Sequence, residues 1–91
     1  MIRHPVVRRV VATIAAEHGC TIPHLLDRDH SHVPKVAEAR RHAMAVVRWS
    51  TGLSYPEIGE MFGGRGHDVV LKAVRRWENE LTRRHEKETC P

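Results

Sequence analysis

The stretch at residues 54–70 constrains the fold of this chain more than any other, because it places two helix signals around a tight turn. Ser54 is followed three residues later by Glu57, which is the capping-box spacing at the start of a helix. Gly63 and Gly64 then end that short helix, since glycine enters left-handed backbone conformations at low cost. An amphipathic pattern with helical spacing follows at once. The stretch therefore predicts a helix, a tight turn and a second helix.

This arrangement lets the second helix project into the major groove of duplex DNA. The same pattern also fits an ordinary helical hairpin inside a bundle, so both interpretations stay open on these residues alone. In the groove-binding arrangement, the N-terminal residues of the second helix face the base edges and the first helix crosses the backbone. The candidate DNA-binding residues at this place are Ser54, Arg65, Gly66, His67, Asp68 and Lys72.

Each of these candidates brings a defined chemistry. The guanidinium of Arg65 can donate to a guanine edge or to a phosphate, and a ring nitrogen of His67 can donate to a phosphate or a base acceptor. Asp68 can accept from a cytosine amino group, although its charge is repelled by phosphates. Backbone N–H groups at the start of each helix, including those capped by Ser54, are further phosphate donors.

The remainder of the chain predicts three more helices. Proline suits a first helical turn and glycine suits a helix end, and apolar residues recur at three- and four-residue spacing between such signals. These three are Pro5 to about His18, a short helix capped by Thr21 and ending at Leu25 and Leu26, and a buried central helix from Pro34 to Ser50 or Thr51. The second helix of the motif is also the last helix, from His67 to about Lys87. The polar segment 27–32 predicts a loop. We expect a compact all-α domain of about five helices.

Composition limits the classes of function. The 91 residues fit one domain, 1–91, with a core at about residues 5–85. The net charge of +4 with neutral histidines makes a polyanionic partner plausible. Four aromatic residues (Trp49, Tyr55, Phe62 and Trp77) are too few for a base-stacking platform of the single-strand or RNA-binding kind.

Other classes are disfavoured by missing patterns. Cys20 and Cys90 form no metal or redox motif, and His30 and His32 lack further ligands, so we expect no metal. No activated nucleophile or paired acid and base is visible, which argues against an enzyme, and no cofactor is implied. The sequence has no signal segment and no apolar run that could span a membrane, so we expect a cytoplasmic, nucleoid-associated protein with reduced thiols.

Several short motifs of this chain match the sequence pattern of a known protein family. They are Gly52-Leu53-Ser54, Glu57-Ile58-Gly59, Phe62-Gly63-Gly64-Arg65, His67, Ala73 and, upstream, Ala39-Arg40-Arg41-His42-Ala43-Met44. With them the chain resembles the C-terminal DNA-binding domain of the bacterial replication initiator DnaA, from about Val6 to Leu81. The resemblance implies a helical fold that binds double-stranded DNA. Arg40 matches a DNA-contacting arginine of that family, and we expect Arg40, Arg41 and Lys72 to contact phosphates.

The departures from that family concern the residues that read bases. Where the family has Asp-His-Thr-Thr, this chain has Gly66, His67, Asp68 and Val69, and Glu38 stands in place of an arginine that enters the minor groove. The family's ATPase domain is absent, since no phosphate-binding loop motif occurs. The start at Met1 favours a complete small protein.

We therefore expect a stand-alone DNA-binding regulator of transcription or replication, with altered base specificity and no nucleotide cofactor. Regulatory or transcription proteins are a further expected class of partner. Two alternatives remain. One is the origin-binding domain of an initiator, and the other is a helical protein-interaction module that has lost its affinity for DNA.

Overall fold

The computed structural model describes residues 4–26 and 33–89, with the side chains of the last helix described as far as Arg84. These residues form five helices: α1 (Pro5–Glu17), α2 (Ile22–Leu26), α3 (Pro34–Thr51), α4 (Tyr55–Met61) and α5 (His67–Thr89). No strand occurs within the described ranges. The predicted all-α architecture is confirmed. The predicted loop at 27–32, with its two histidines and two aspartates, lies outside the described residues.

Local signals explain where the helices begin and end. Pro5 and Pro34 both occupy the first turn of their helices, where a missing N–H costs nothing. Before α1, the Nδ1 of His4 accepts from Val7 N at 3.4 Å, a cap that the sequence pattern did not reveal. Thr21 acts as predicted, since its hydroxyl accepts from the backbone N–H of His24 at the start of α2.

The third helix is the centre of the domain, because it packs against each of the other four. Its alanines Ala39, Ala43 and Ala45 are fully buried, and such small side chains allow neighbouring helices to approach closely. The predicted role of α3 as a buried hub is therefore confirmed. The core formed around it also contains Val7, Val11, Leu25, Met44, Val47, Ile58, Phe62, Val70, Val74 and Trp77.

Some large apolar side chains of the helices are exposed. Leu81 lies on the apolar stripe of α5 but is 38% exposed, so the buried part of that stripe ends at Trp77. Trp49, near the end of α3, is 51% exposed. Within the described residues, no helix is both long and apolar enough to cross a bilayer.

A cluster of two histidines and a tryptophan joins the end of α1 to α3 and α5. The Nε2 of His18 lies 3.0 Å from the Nδ1 of His42, so one ring donates to the other. The ring of His42 stacks on Trp77 with centroids 4.4 Å apart. Burial lowers the pKa of His42, and the nearby His18 lowers it further. Among the other charged neighbours, Glu17 and Glu38 raise the pKa and Arg84 lowers it, without reversing the shift.

We predict that replacing Phe62 or Trp77 by alanine destabilises the domain. Both side chains are at most 4% exposed, and truncating a buried aromatic residue costs about 3–5 kcal/mol. Thermal melting followed by circular dichroism measures the effect, with Val6→Ala as control because Val6 is 50% exposed. A melting temperature equal to that of the parent would show that neither residue belongs to the core.

We also predict that the domain loses stability as the pH falls below about 6.5. The lowered pKa of folded His42 means that the unfolded chain takes up the proton first, which favours unfolding in acid. Denaturation at about pH 7.5 and about pH 5.5 measures the free energy of unfolding at each pH. The difference between the two values should be smaller in His42→Gln than in the parent. The exposed histidine on α2 gives the control, His24→Gln. Equal pH dependence of the parent and His42→Gln would contradict this assignment.

Candidate nucleic-acid interface

The first helix of the motif begins with the predicted cap. The hydroxyl of Ser54 accepts from Glu57 N at 3.3 Å and lies 2.9 Å from Glu57 Oε1, to which it donates. The carboxylate of Glu57 thus accepts a hydrogen bond from the hydroxyl of Ser54. Ser54 is partly buried at the start of α4, and the turn follows the opposite end of that helix.

The turn depends on glycines in two ways. Gly63 and Gly64 have φ values of 79° and 75°, in the left-handed region that the sequence predicted. Gly59 serves a different purpose, because a Cβ there would overlap the backbone carbonyl of Arg65. The backbone N–H of Arg65 also donates to the carbonyl of Gly59 at 2.8 Å. The backbone of the turn therefore packs closely against α4. The sequence motif includes Gly59, but the motif alone does not show that this close approach requires a glycine.

The N-terminal end of α5 presents four consecutive exposed residues, Gly66, His67, Asp68 and Val69. The carbonyl of Gly66 accepts from the backbone N–H of Val69 at 3.2 Å, so the helix begins directly after the turn. Asp68 lies in the first turn, where a negative charge is favourable, and its Oδ1 points back toward Gly66. Lys72 is exposed further along the helix. These predicted residues share one surface.

Arg65 is partly buried and takes part in the fold as well. Its Nη1 donates to the carbonyl of Phe62, at the end of α4, and lies 3.5 Å from the carbonyl of Leu26, at the end of α2. The side chain thus connects two helix ends below the exposed residues. The predicted DNA contact of Arg65 stays a prediction, and the structure adds this connecting role.

Arg40 differs most from its expected position. It is 7% exposed, and its Nε donates to the carbonyl of Leu25 at 2.8 Å. Burial, together with the smaller effects of the positive charges of Arg65 and Arg41, lowers its pKa to about 10. Arg40 therefore lies within the fold at the end of α2 instead of projecting freely. Its phosphate contact stays a prediction.

Two nitrogen atoms in this arginine cluster lack an acceptor. In the part of the chain that the structure describes, Arg40 Nη2 and Arg41 Nε are buried without a hydrogen-bond partner. Arg41 is 20% exposed and its Nη2 lies 3.9 Å from Glu80 Oε1. Buried guanidinium nitrogens are normally paired, and phosphate oxygens are well-matched acceptors for them. In the arginine cluster (Arg40, Arg41 and Arg65), the hydrogen-bonding capacity of Arg40 Nη2 and Arg41 Nε is therefore unmet.

Glu38 occupies the position at which the resembling family has a minor-groove arginine. Its Oε1 lies 3.5 Å from Arg84 Nη2, so α3 and α5 are joined by an ion pair there. Within residues 4–26 and 33–84, no group of His, Cys, Asp or Glu side chains is arranged to hold a metal ion. His30 and His32, considered as ligands in the sequence, lie outside these residues.

Comparison with protein-family models supports the resemblance seen in the sequence. The model of the bacterial dnaA protein helix-turn-helix matches residues 7–76, which include most of α1, all of α2, α3 and α4, and the start of α5. No solved structure matches the chain. The family match covers well over half of the 91 residues and includes the turn described above. The chain belongs to the bacterial dnaA protein helix-turn-helix family.

Proposed function

We propose that this domain binds double-stranded DNA by placing the start of α5 in the major groove. The observation that carries the proposal is the exposed run 66–69 at the N-terminus of a long amphipathic helix, directly after a glycine turn. Recognition helices of this motif contact base edges with these first residues. His67 and Asp68 supply a donor and an acceptor there, and Lys72 supplies a cation one turn further.

The arginine cluster supports the same orientation. The pKa of Arg40 is lowered mainly by burial, and repulsion from Arg65 in the turn and from Arg41 lowers it as well. A phosphate bound beside Arg41, whose side chain is 20% exposed, relieves this repulsion. We therefore assign Arg40 and Arg41 to a backbone phosphate, and Ser54 to the place where α4 crosses the backbone.

The base preference of this domain differs, in our proposal, from that of the family's initiator. Gly66 offers no side chain, and the exposed Val69 offers no hydroxyl group. Asp68 can contact a base only through a hydrogen-bond donor, such as a cytosine amino group, whereas the family's threonine contacts other groups. Glu38 carries a negative charge, which the negative potential of the minor groove repels, and its carboxylate is paired with Arg84. Both observations support the loss of the family's minor-groove contact.

The cellular role that follows is a non-enzymatic regulator of transcription or replication in the nucleoid. The rival role is a helical protein-interaction module, and the exposed Trp49 and Val6 favour it, since large apolar side chains on a surface often mark protein contacts. Added salt separates the two roles. Affinity for DNA falls steeply with salt, because phosphate binding releases counterions, whereas an apolar protein contact does not behave in this way.

We predict that Arg65→Ala weakens binding to duplex DNA by about 1–3 kcal/mol if its guanidinium makes a bidentate base contact. Fluorescence anisotropy with a duplex selected from a random library measures the affinity. Because Arg65 also joins α2 to α4, the melting temperature is measured in parallel. Arg8→Ala, which removes an exposed cation of α1, is the control. A folded Arg65→Ala variant that binds all duplexes as the parent does would refute the docking.

We also predict near-equal binding of the initiator's usual box and a scrambled duplex. Each mismatched contact costs about 1–3 kcal/mol, so losing two or three removes most of a normal specificity gap. Competition at near-physiological salt measures the ratio. A preference for the box of about a hundredfold or more would instead identify an origin-binding protein.

A further inference from the structure

The outer face of α5 carries cations well beyond its first turns. A shallow groove of about 380 Å³ lies on this face. It is lined by Lys72, Arg75, Arg76, Asn79, Glu80 and Arg83. These positions recur at three- and four-residue spacing, which keeps them on one side of the helix. Arginine and glutamate alternate along this part of the sequence, but the folded helix gathers four cations around one carboxylate.

That carboxylate does not neutralise the groove. The Oε1 of Glu80 lies 3.5 Å from Arg76 Nε and 3.9 Å from Arg41 Nη2, so one negative charge is shared between two guanidinium groups. Arg76 is 68% exposed, and an ion pair in such a position is weak. Lys72, Arg75 and Arg83 keep their charges exposed along the same groove.

Arg83 and its neighbour Arg84 are used differently. Arg84 turns toward α3, where its Nη2 lies 3.5 Å from Glu38 Oε1 and its guanidinium lies over the ring of Trp77 at 5.6 Å. In the described part of the chain, Arg83 makes no ion pair and faces the groove instead. Arg84 thus serves the fold, whereas Arg83 is available to an external anion.

Helix geometry relates this groove to the DNA. Eleven residues separate Lys72 from Arg83, which corresponds to about 16 Å along an α-helix. The major groove is about 12 Å wide, so a helix that lies across it with Lys72 inside the groove reaches the bordering strand at about Asn79 and Arg83. The family match ends at residue 76, so Asn79 and Arg83 lie beyond the shared part of the domain.

We propose that Asn79 and Arg83 form a second DNA contact, to phosphates that flank the bases faced by the start of α5. The inference rests on the proposed binding of duplex DNA and extends it along the helix. An amide and a guanidinium donate well to phosphate oxygens, and such contacts carry no base information. The second contact strengthens binding to every sequence equally.

The test compares Arg83→Gln with Arg8→Gln, which removes the same charge from an exposed site on α1. Affinity for a mixed-sequence duplex is measured between about 50 and about 200 mM salt. Affinity falls with added salt, and losing one phosphate contact makes the slope of log affinity against log salt shallower by about 0.9. The loss of affinity across this salt range therefore becomes about 3.5-fold smaller. We expect this change for Arg83→Gln, with the base preference unaltered, and no change for Arg8→Gln.

Three outcomes overturn the inference in distinguishable ways. If the parent binds duplex DNA and Arg83→Gln shows the parent's slope, the second contact does not exist while the proposed function stands. If the parent binds neither mixed-sequence nor selected duplexes at any of these salt concentrations, the proposed function itself fails. A change in base preference in Arg83→Gln would also contradict the inference, because it would place Arg83 at base edges.

Discussion

The C-terminal end of α2 is the point on which the arrangement of this domain depends. Its last two carbonyls, those of Leu25 and Leu26, face guanidinium groups from Arg40 on α3 and Arg65 in the turn. A helix C-terminus carries partial negative charge, so cations are favourable there. Three segments that are distant in sequence meet at this end, and the helix-turn-helix is oriented on the hub helix by charge as well as by apolar packing.

Sequence patterns predicted the helices well because each carries a local signal. The cap of Ser54, the left-handed glycines Gly63 and Gly64, and the spacing of apolar residues all act within a few positions. The site was harder to predict, because its geometry comes from long-range contacts. The sequence around Arg40 predicts a cation on the surface. Only its hydrogen bond to the carbonyl of Leu25, fifteen residues away, reveals that it is buried.

Gly59 and the histidine cluster illustrate the same limit. Nothing in the helical pattern of α4 requires a glycine in its interior, and the requirement arises from the returning backbone of Arg65. The contact of His18 with His42 joins residues 24 positions apart, and stacking on Trp77 adds a third helix. These contacts join residues that are not neighbours in the chain, so no periodic pattern in a single sequence predicts them.

The exposed run from Gly66 to Val69 contributes little to the core, whereas the turn beneath it tolerates little change. Substitutions in such a run cost little stability, since surface positions usually change unfolding free energy by less than about 0.5 kcal/mol. The side chains of this run can therefore be exchanged while the glycine turn and its arginine connections keep their geometry. A lineage built on this domain can acquire new binding sites by successive surface mutations, each of which leaves a folded protein for selection to act on.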